Sequence, residues 1–134
     1  MLDAFGVVGT VFFRHYTNAA DEILASGAIN NPSGRPNYFT PNNAALDNLT
    51  PGQIREKLGL DNVPNAYFLV DETAIKDMQG PTQVRDPITG RYGMSQSWND
   101  SPVSVGGTTP LFRFSPVESA WLMFGGGGGP FTVY

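Results

Sequence analysis

The hydrophobic residues of this chain are grouped in short runs that turn-forming residues separate. Residues 5–16 are rich in Val and Phe and predict a strand. Shorter apolar runs predict further strands at residues 38–40, 66–70 and 111–114, and a last edge strand at residues 131–134. Strands of this kind with helices between them predict an α+β domain.

The first of two predicted helices follows the first strand. Thr17 or Asn18 can cap its beginning, because a short side-chain oxygen there accepts from an otherwise unpaired amide group. Gly27 can adopt the left-handed conformation that ends a helix. We expect Ile23 and Leu24 to face the core.

The second predicted helix has clear signals at both ends. Thr50 is its expected cap, Pro51 its first residue and Gln53 the partner of Thr50 in a capping box. Gly59 is expected to end it after about two turns.

Residues 79–109 give no clear prediction of regular structure. Gly, Pro, Ser, Asn and Asp are frequent there, and the whole chain holds 16 glycines and 11 prolines. A loop of that length in a compact domain is usually functional or mobile. The expected architecture is therefore a single domain over residues 1–134, with short, mostly antiparallel strands, two or more short helices and one long loop.

Composition excludes several classes of function. The chain has no cysteine and one histidine, His15, so cysteine nucleophiles, thiolate zinc sites and sites that need two imidazoles are excluded. Eight basic residues against twelve acidic ones give no fold-wide basic surface for nucleic acid. The longest apolar runs fall far short of the roughly 20 residues of a membrane helix, so no membrane partner is expected.

His15 is the first candidate for chemistry, at the end of the first predicted strand. A lone histidine at a strand end is more often structural than functional. As a neutral imidazole it could instead hydrogen-bond a ribose hydroxyl, with Thr17 adding a contact. Both interpretations are open from the residues alone.

Aromatic and acidic residues at other strand ends give further candidates. Tyr38 and Phe39 are neighbours on a strand, so one ring faces inward and only the other can line a cleft. Asp71 follows a strand and could cap the next helix or stabilise positive charge on a reacting sugar. Asp86 and Glu118 are alternatives that spacing does not separate from it.

The order of these motifs resembles a known family. Arg14-His15-Tyr16-Thr17 is followed by a helix that ends in residues 23–29, then by Tyr38-Phe39-Thr40, the helical segment 51–60 and the strand segment 65–71. This arrangement, over roughly residues 12–75, resembles the ADP-ribosyltransferase-like domains at the C-terminal ends of bacterial polymorphic toxins, in the group named for a His-Tyr-Asp signature.

The resemblance implies a split sheet around an NAD cleft, with NAD as the substrate. His15 would hold the adenosine-side ribose of NAD, with Arg14, Tyr16 and Thr17 as further NAD-binding residues around it. No metal is implied.

The resemblance also assigns the remaining site residues. Tyr38 would stack on the nicotinamide. Phe39 is also among the expected NAD-binding residues, although it would pack beneath the sheet. Tyr67 is a second candidate for the signature tyrosine and Asp71 for the signature acid. Related families often carry a catalytic glutamate on a late strand, but residues 106–111 contain no acid here, so Gln96 is a candidate replacement.

The expected function is that of a mono-ADP-ribosyltransferase toxin, secreted as an effector that acts in the cytoplasm of a competing bacterium. The acceptor would be a macromolecule, such as the translation factor elongation factor Tu. A cognate immunity protein and a monomeric state are also expected. The alternatives are an NAD glycohydrolase on the same scaffold and a non-catalytic binding module.

Overall fold

The elements of the fold are described for residues 11–32 and 34–114 in a computed structural model. The strands are β1 (Phe12–Thr17), β2 (Ala28–Ile29), β3 (Asn37–Pro41), β4 (Ala66–Asp71), β5 (Gln79–Arg85), β6 (Tyr92–Asn99), β7 (Val103–Ser104) and β8 (Leu111–Arg113). The helices are α1 (Ala20–Ser26) and α2 (Pro51–Leu58), with short 3-10 helices at Ala44–Asn48 and Glu72–Ala74.

Six of these strands form one sheet in the order β5-β6-β3-β1-β4-β8. Every neighbouring pair is antiparallel. Strands β2 and β7 form a small second sheet, also antiparallel. The prediction of a small α+β domain with mostly antiparallel strands is confirmed.

The sheet opens between its two central strands. Strand β1 pairs with β4 along its whole length, from Phe12 to Thr17. With β3, the described residues of β1 pair only at Phe13 and Arg14, which lie opposite Pro41 and Thr40 at the end of β3. The first half of β3 pairs with β6 on its other edge and has no described partner in β1. The last residues of β1, which begin with His15, therefore border a gap in the sheet.

Apolar side chains pack on both faces of this sheet. Phe13 and Tyr16 of β1 are three residues apart and so belong to opposite faces. One cluster includes Phe13 and the fully buried Phe39 and Phe68, and the other joins Tyr16 to the buried residues of α2.

Helix α2 forms as predicted. The hydroxyl of Thr50 accepts from the amide of Gln53, and the Gln53 side chain accepts from the amide of Thr50 at 2.9 Å. Gly59 ends the helix at φ +68°. Its amide donates to the carbonyls of the last turn, so the helix carries its own start and stop signals.

Helix α1 differs in part from its prediction. It ends at Gly27, with φ +80°, as predicted, but it begins after Ala19 with no side-chain cap. The hydroxyl of Thr17 accepts from the amide of Ala19, in the turn before the helix. The prediction that Leu24 faces the core is wrong, because Ala20 and Ile23 occupy the inner face and turn Leu24 toward solvent.

The prediction of a long loop at residues 79–109 is wrong. This segment contains β5 and β6, the two longest described strands, and the short β7. Strand β5 is an edge strand whose side chains are almost all exposed, so its sequence carries no buried apolar alternation. The predicted strand at residues 131–134, residues 5–10 of the first predicted strand, and Glu118 lie outside the described residues.

Asp86 fixes the turn between β5 and β6. Its buried carboxylate accepts from Arg55 Nη1 at 2.9 Å and Nη2 at 3.1 Å, and also from the Ile88 amide and the Thr89 hydroxyl at 2.9 Å. These donors, Arg55 first, hold the pKa of Asp86 well below its ordinary value of 3.8. With both oxygens occupied, Asp86 is a structural anchor and not the reacting acid.

We expect Asp86→Asn to lower the melting temperature at neutral pH. A carboxylate with a depressed pKa in the folded state contributes stability above its unfolded pKa, and that stability is lost as the pH falls below about 4. Thermal melting from pH 7 to pH 2.5 should therefore show a smaller acid-induced decline for the variant than for the parent. Asp21→Asn is the matched control, since it removes an exposed pair with Arg113. Equal melting temperatures for Asp86→Asn and the parent at pH 7 would contradict this role.

Candidate functional site

A cleft of about 490 Å³ lies where β1 and β3 separate. Its walls come from the end of β1, the segment before β3, the end of α2 with the following loop, and the end of β5. Small-molecule sites typically have volumes of about 300–1,000 Å³. The opening in the sheet is thus large enough for a small ligand.

His15 borders this cleft and joins the two separated strands. It is only 6% exposed, with Phe68 of β4 directly opposite and the Phe39 ring centroid 5.5 Å away. Its Nδ1 lies 2.9 Å from the carbonyl oxygen of Tyr38. A carbonyl can only accept, so Nδ1 carries the hydrogen and donates. This side-chain hydrogen bond links β1 to β3 at the point where their backbones are not paired.

The second ring nitrogen of His15 is suited to accept a hydrogen bond. Burial lowers the pKa of His15 below its ordinary value of 6.5, although the bond to Tyr38 acts in the opposite direction. The ring is therefore neutral at pH 7, and Nε2 carries a lone pair. Within residues 11–32 and 34–114, no group hydrogen-bonds Nε2, so it can accept from a hydroxyl of a ligand in the cleft.

Tyr38 and Phe39 point to opposite faces of β3, as their spacing predicts. Phe39 has no exposed surface and belongs to the core. Tyr38 is half-buried and lines the cleft. Phe39 packs beneath the sheet as predicted and does not line the cleft, whereas Tyr38 offers its ring to a ligand there.

Gln96 lies on β6 and also lines the cleft. Its side chain is buried, and its Nε2 donates to the carbonyl of Leu58, the last residue of α2, at 2.7 Å. Since a carbonyl can only accept, the nitrogen of the Gln96 amide faces the Leu58 carbonyl. The oxygen of the Gln96 amide then remains as an acceptor. The described part of the chain offers this oxygen no hydrogen-bond donor.

Arg14 and Tyr67, two predicted NAD-binding residues, do not line the cleft. The buried guanidinium of Arg14 donates to Asn42 at 2.7 Å, to Asp47 at 2.8 Å and to the Tyr16 hydroxyl at 2.9 Å. It also lies 4.5 Å from the ring centroid of Tyr67. These contacts keep the Arg14 guanidinium away from the cleft, and Tyr67 packs against the core cluster that contains Tyr16 and the buried residues of α2. The structure therefore does not bring Arg14 and Tyr67 to the cleft with His15.

Tyr16 and Thr17 do line the cleft, beside His15. The Tyr16 hydroxyl already accepts from Arg14, and the Thr17 hydroxyl accepts from Ala19. Burial raises the pKa of Tyr16 above its ordinary value of 10.0, so it is neutral at physiological pH. Both residues shape the wall at the end of β1.

Asp71 lies away from the cleft, so the structure does not bring it together with His15. It pairs with Phe12 at the beginning of β1, whereas the cleft adjoins the Thr17 end. Five residues of strand separate the two ends, about 16 Å at the usual rise per residue. The Asp71 carboxylate accepts from the amide and the hydroxyl of Thr73, at 2.8 and 2.9 Å, and so caps the 3-10 helix that follows β4.

Three charged residues of the cleft were not predicted from the sequence: Arg35, Asp61 and Arg85. Arg35 donates to the Asp61 carboxylate. The Arg85 guanidinium lies 5.1 Å from the ring centroid of Tyr92. Each of the three lies in a turn or in the segment predicted as a loop, so no local motif marks them.

The described residues contain no group of three or more His, Asp or Glu side chains that could hold a metal ion. None of the described helices is long and apolar enough to cross a membrane. No protein-family model matches the chain, and no curated protein or solved structure matches it significantly. The basis for a functional assignment is therefore the cleft, together with the resemblance of the sequence motifs.

Proposed function

We propose that this protein is a mono-ADP-ribosyltransferase that cleaves NAD and transfers ADP-ribose to a macromolecule. The observation that carries the proposal is the position of His15 at the gap between β1 and β3, with Tyr38 and Gln96 lining the same cleft. The family resemblance assigns roles in NAD binding to His15 and Tyr38, and Gln96 is the candidate replacement for the glutamate that this sequence lacks.

In this proposal the cleft residues act mainly by positioning the substrate. Nε2 of His15 accepts from a ribose hydroxyl, and the ring of Tyr38 stacks on the nicotinamide. The bond between the ribose carbon C1′ and the nicotinamide nitrogen breaks, and nicotinamide leaves with the electron pair. An acceptor nucleophile then bonds to C1′ and loses its proton. Nicotinamide is a good leaving group, so positioning supplies much of the catalysis.

The positive charge that develops on the ribose needs a nearby acceptor dipole or carboxylate. Asp61 is the sole carboxylate among the described cleft residues, and Arg35 already pairs with it. The amide oxygen of Gln96 is the available acceptor. An amide dipole stabilises positive charge less than a carboxylate does, so Gln96 is expected to make a modest contribution.

The biological setting is proposed from the family resemblance. The protein would be a secreted toxin that acts as a monomer in the cytoplasm of a competing bacterium. Its acceptor would be a protein, such as the translation factor elongation factor Tu. An immunity protein that covers the cleft would protect the producing cell.

Biotinylated NAD incubated with the protein and a bacterial lysate tests the proposal. The expected result is a biotin-labelled protein together with released nicotinamide. Free ADP-ribose without a labelled protein would favour an NAD glycohydrolase. No NAD turnover, with no toxicity on expression, would contradict both enzymes and favour a binding module.

We expect Gln96→Ala to slow nicotinamide release about tenfold, an effect of about 1.4 kcal/mol on the transition state. The reason is that the variant removes the amide oxygen offered to the ribosyl charge. Steady-state kinetics should show the loss in kcat more than in KM. NAD affinity from calorimetry and a melting curve separate this effect from a loss of folding.

Asp71→Asn is the matched control for this prediction. It changes a carboxylate outside the cleft and should leave NAD turnover unchanged. Normal turnover in Gln96→Ala with loss in Asp71→Asn would instead restore Asp71 as the acid.

A further inference from the structure

The cleft is positively charged although the chain is acidic. The formal net charge of the whole chain is −4 with His15 neutral. In contrast, the charged residues among the described lining of the cleft are two arginines, Arg35 and Arg85, and one carboxylate, Asp61. This local excess of positive charge favours an anionic ligand.

Arg85 differs from most arginines of this protein. Arg14, Arg55 and Arg113 each form an ion pair with an aspartate. Arg85 forms none with the described residues, and its guanidinium lies over the ring of Tyr92 instead. Tyr92 lines a neighbouring cavity and not the cleft, whereas Arg85 itself borders the cleft. The Arg85 guanidinium, which has no hydrogen-bond partner among the described residues, would therefore turn from Tyr92 to bind a ligand in the cleft.

The backbone beside Arg85 is held firmly. Asp86, the next residue, is buried and bonded to Arg55 of α2. A Cβ atom added at Gly59 would lie 3.0 Å from the Val84 carbonyl oxygen, so the end of α2 packs closely on this turn. A guanidinium on such a fixed wall can bind a ligand without ordering the chain first.

Arg35 reaches the cleft from a different segment and is held by a replaceable partner. Arg35 and Asp61 are 64% and 41% exposed, and exposed ion pairs contribute little to stability. Arg35 donates to Asp61 through Nη2 alone, whereas a guanidinium can bind a phosphate through two parallel hydrogen bonds. An incoming phosphate can therefore displace Asp61 from Arg35.

We propose that Arg35 and Arg85 bind the diphosphate of a dinucleotide, and that Asp61 occupies Arg35 until this ligand displaces it. The inference rests on the proposed function for the identity of the dinucleotide. The diphosphate carries two negative charges, which matches one arginine from each segment. It would then lie in the same cleft as the His15 acceptor and the Tyr38 ring.

Calorimetry with ADP-ribose as the probe tests this inference. Arg85→Gln and Arg35→Gln should each weaken binding about tenfold, the effect of losing a hydrogen bond to a charged group. Asp61→Asn should strengthen binding about threefold, because it removes the carboxylate that competes for Arg35. Arg113→Gln, an exposed arginine outside the cleft, is the matched control and should bind as the parent does. Adenosine, which has no phosphate, should bind the parent and all of these variants with the same affinity.

The opposite signs expected at Arg35 and Asp61 make the test specific. Both variants break the same ion pair, so a pair that only supports the fold would shift binding in one direction. That result, or unchanged binding in Arg85→Gln, would overturn the inference, as would a short single-stranded RNA that binds more tightly than ADP-ribose. If the parent protein turns over NAD but its arginine variants bind ADP-ribose normally, the diphosphate site is contradicted and the proposed reaction is retained. If the variants bind ADP-ribose as predicted but the parent does not turn over NAD, the proposed reaction is contradicted and the diphosphate site is supported.

Discussion

The His15→Asn variant is expected to fold and to release nicotinamide from NAD about 100-fold more slowly than the parent. The Asn side-chain amide can occupy the place of Nδ1 and still donate to the Tyr38 carbonyl. It is too short to reach the place of Nε2, so only the acceptor for the ribose hydroxyl is lost. A contact that positions the substrate in the transition state is worth roughly 3 kcal/mol here. Nicotinamide release and a melting curve give the two readouts.

His15→Gln is the complementary control. Its longer side chain places an amide near the position of Nε2 but loses the bond to Tyr38, so it should be less stable than His15→Asn and retain more activity. Alanine is a poorer choice, because the nearly buried ring contacts Phe39 and would leave a cavity. Full activity in His15→Asn would show that NAD cleavage does not need His15. An unfolded His15→Asn would show that the imidazole ring is required for folding.

The pH dependence of His15 gives a second check on the same residue. Burial lowers its pKa in the folded state, so the unfolded state binds a proton first as the pH falls below about 6.5. The parent should therefore lose stability as the pH falls from 7 toward 5, and His15→Asn should lack this part of the decline. Activity should persist through pH 6.5, because the folded imidazole is still neutral there.

Helix α2 could be predicted completely because its signals are local. The bounds of the helix depend on residues that bond or shape the backbone within one turn: Thr50, Pro51, Gln53 and Gly59. Both ends can therefore be predicted from the sequence alone. The alternation of Tyr38 and Phe39 on β3 is equally local. Such elements need no knowledge of the rest of the fold.

The strands β5 and β6 could not be predicted, since their regular structure depends on partners. Strand β5 is held by pairing with β6, with irregularities around Gly80 and Pro81. Pro81 lies on an edge strand, where a missing N–H is tolerated. Neither strand shows the continuous apolar alternation from which a strand is recognised.

The candidate site shows the same division between local and non-local information. His15 and Tyr38 can be selected from the sequence as candidates, because His15 lies at the end of a predicted strand and Tyr38 lies in a short aromatic strand. The distance of Asp71 from His15 cannot be read from local sequence, because it follows from the antiparallel pairing of β4 with β1, which brings the end of β4 beside the beginning of β1. Arg35 and Arg85 lie 50 residues apart in the sequence, and only the fold brings both to the cleft.

The substitutions Phe39→Ala and Tyr38→Ala are expected to have opposite kinds of effect. Phe39 has no exposed surface and contacts the ring of His15, so its truncation should lower the free energy of unfolding by about 3–5 kcal/mol. Tyr38 is half-buried at the cleft, so its truncation should cost much less stability and should raise the KM for NAD. Urea unfolding and NAD kinetics measure the two quantities.

Each of these two variants is the control for the other, because the residues are neighbours on one strand and differ in the face they occupy. Tyr38→Phe adds a finer comparison, since it keeps the ring that would stack on nicotinamide and removes only the hydroxyl. Its KM should stay near that of the parent. A KM in Tyr38→Ala equal to that of the parent, or a larger loss of stability in Tyr38→Ala than in Phe39→Ala, would show that the NAD ring does not lie against this face of β3.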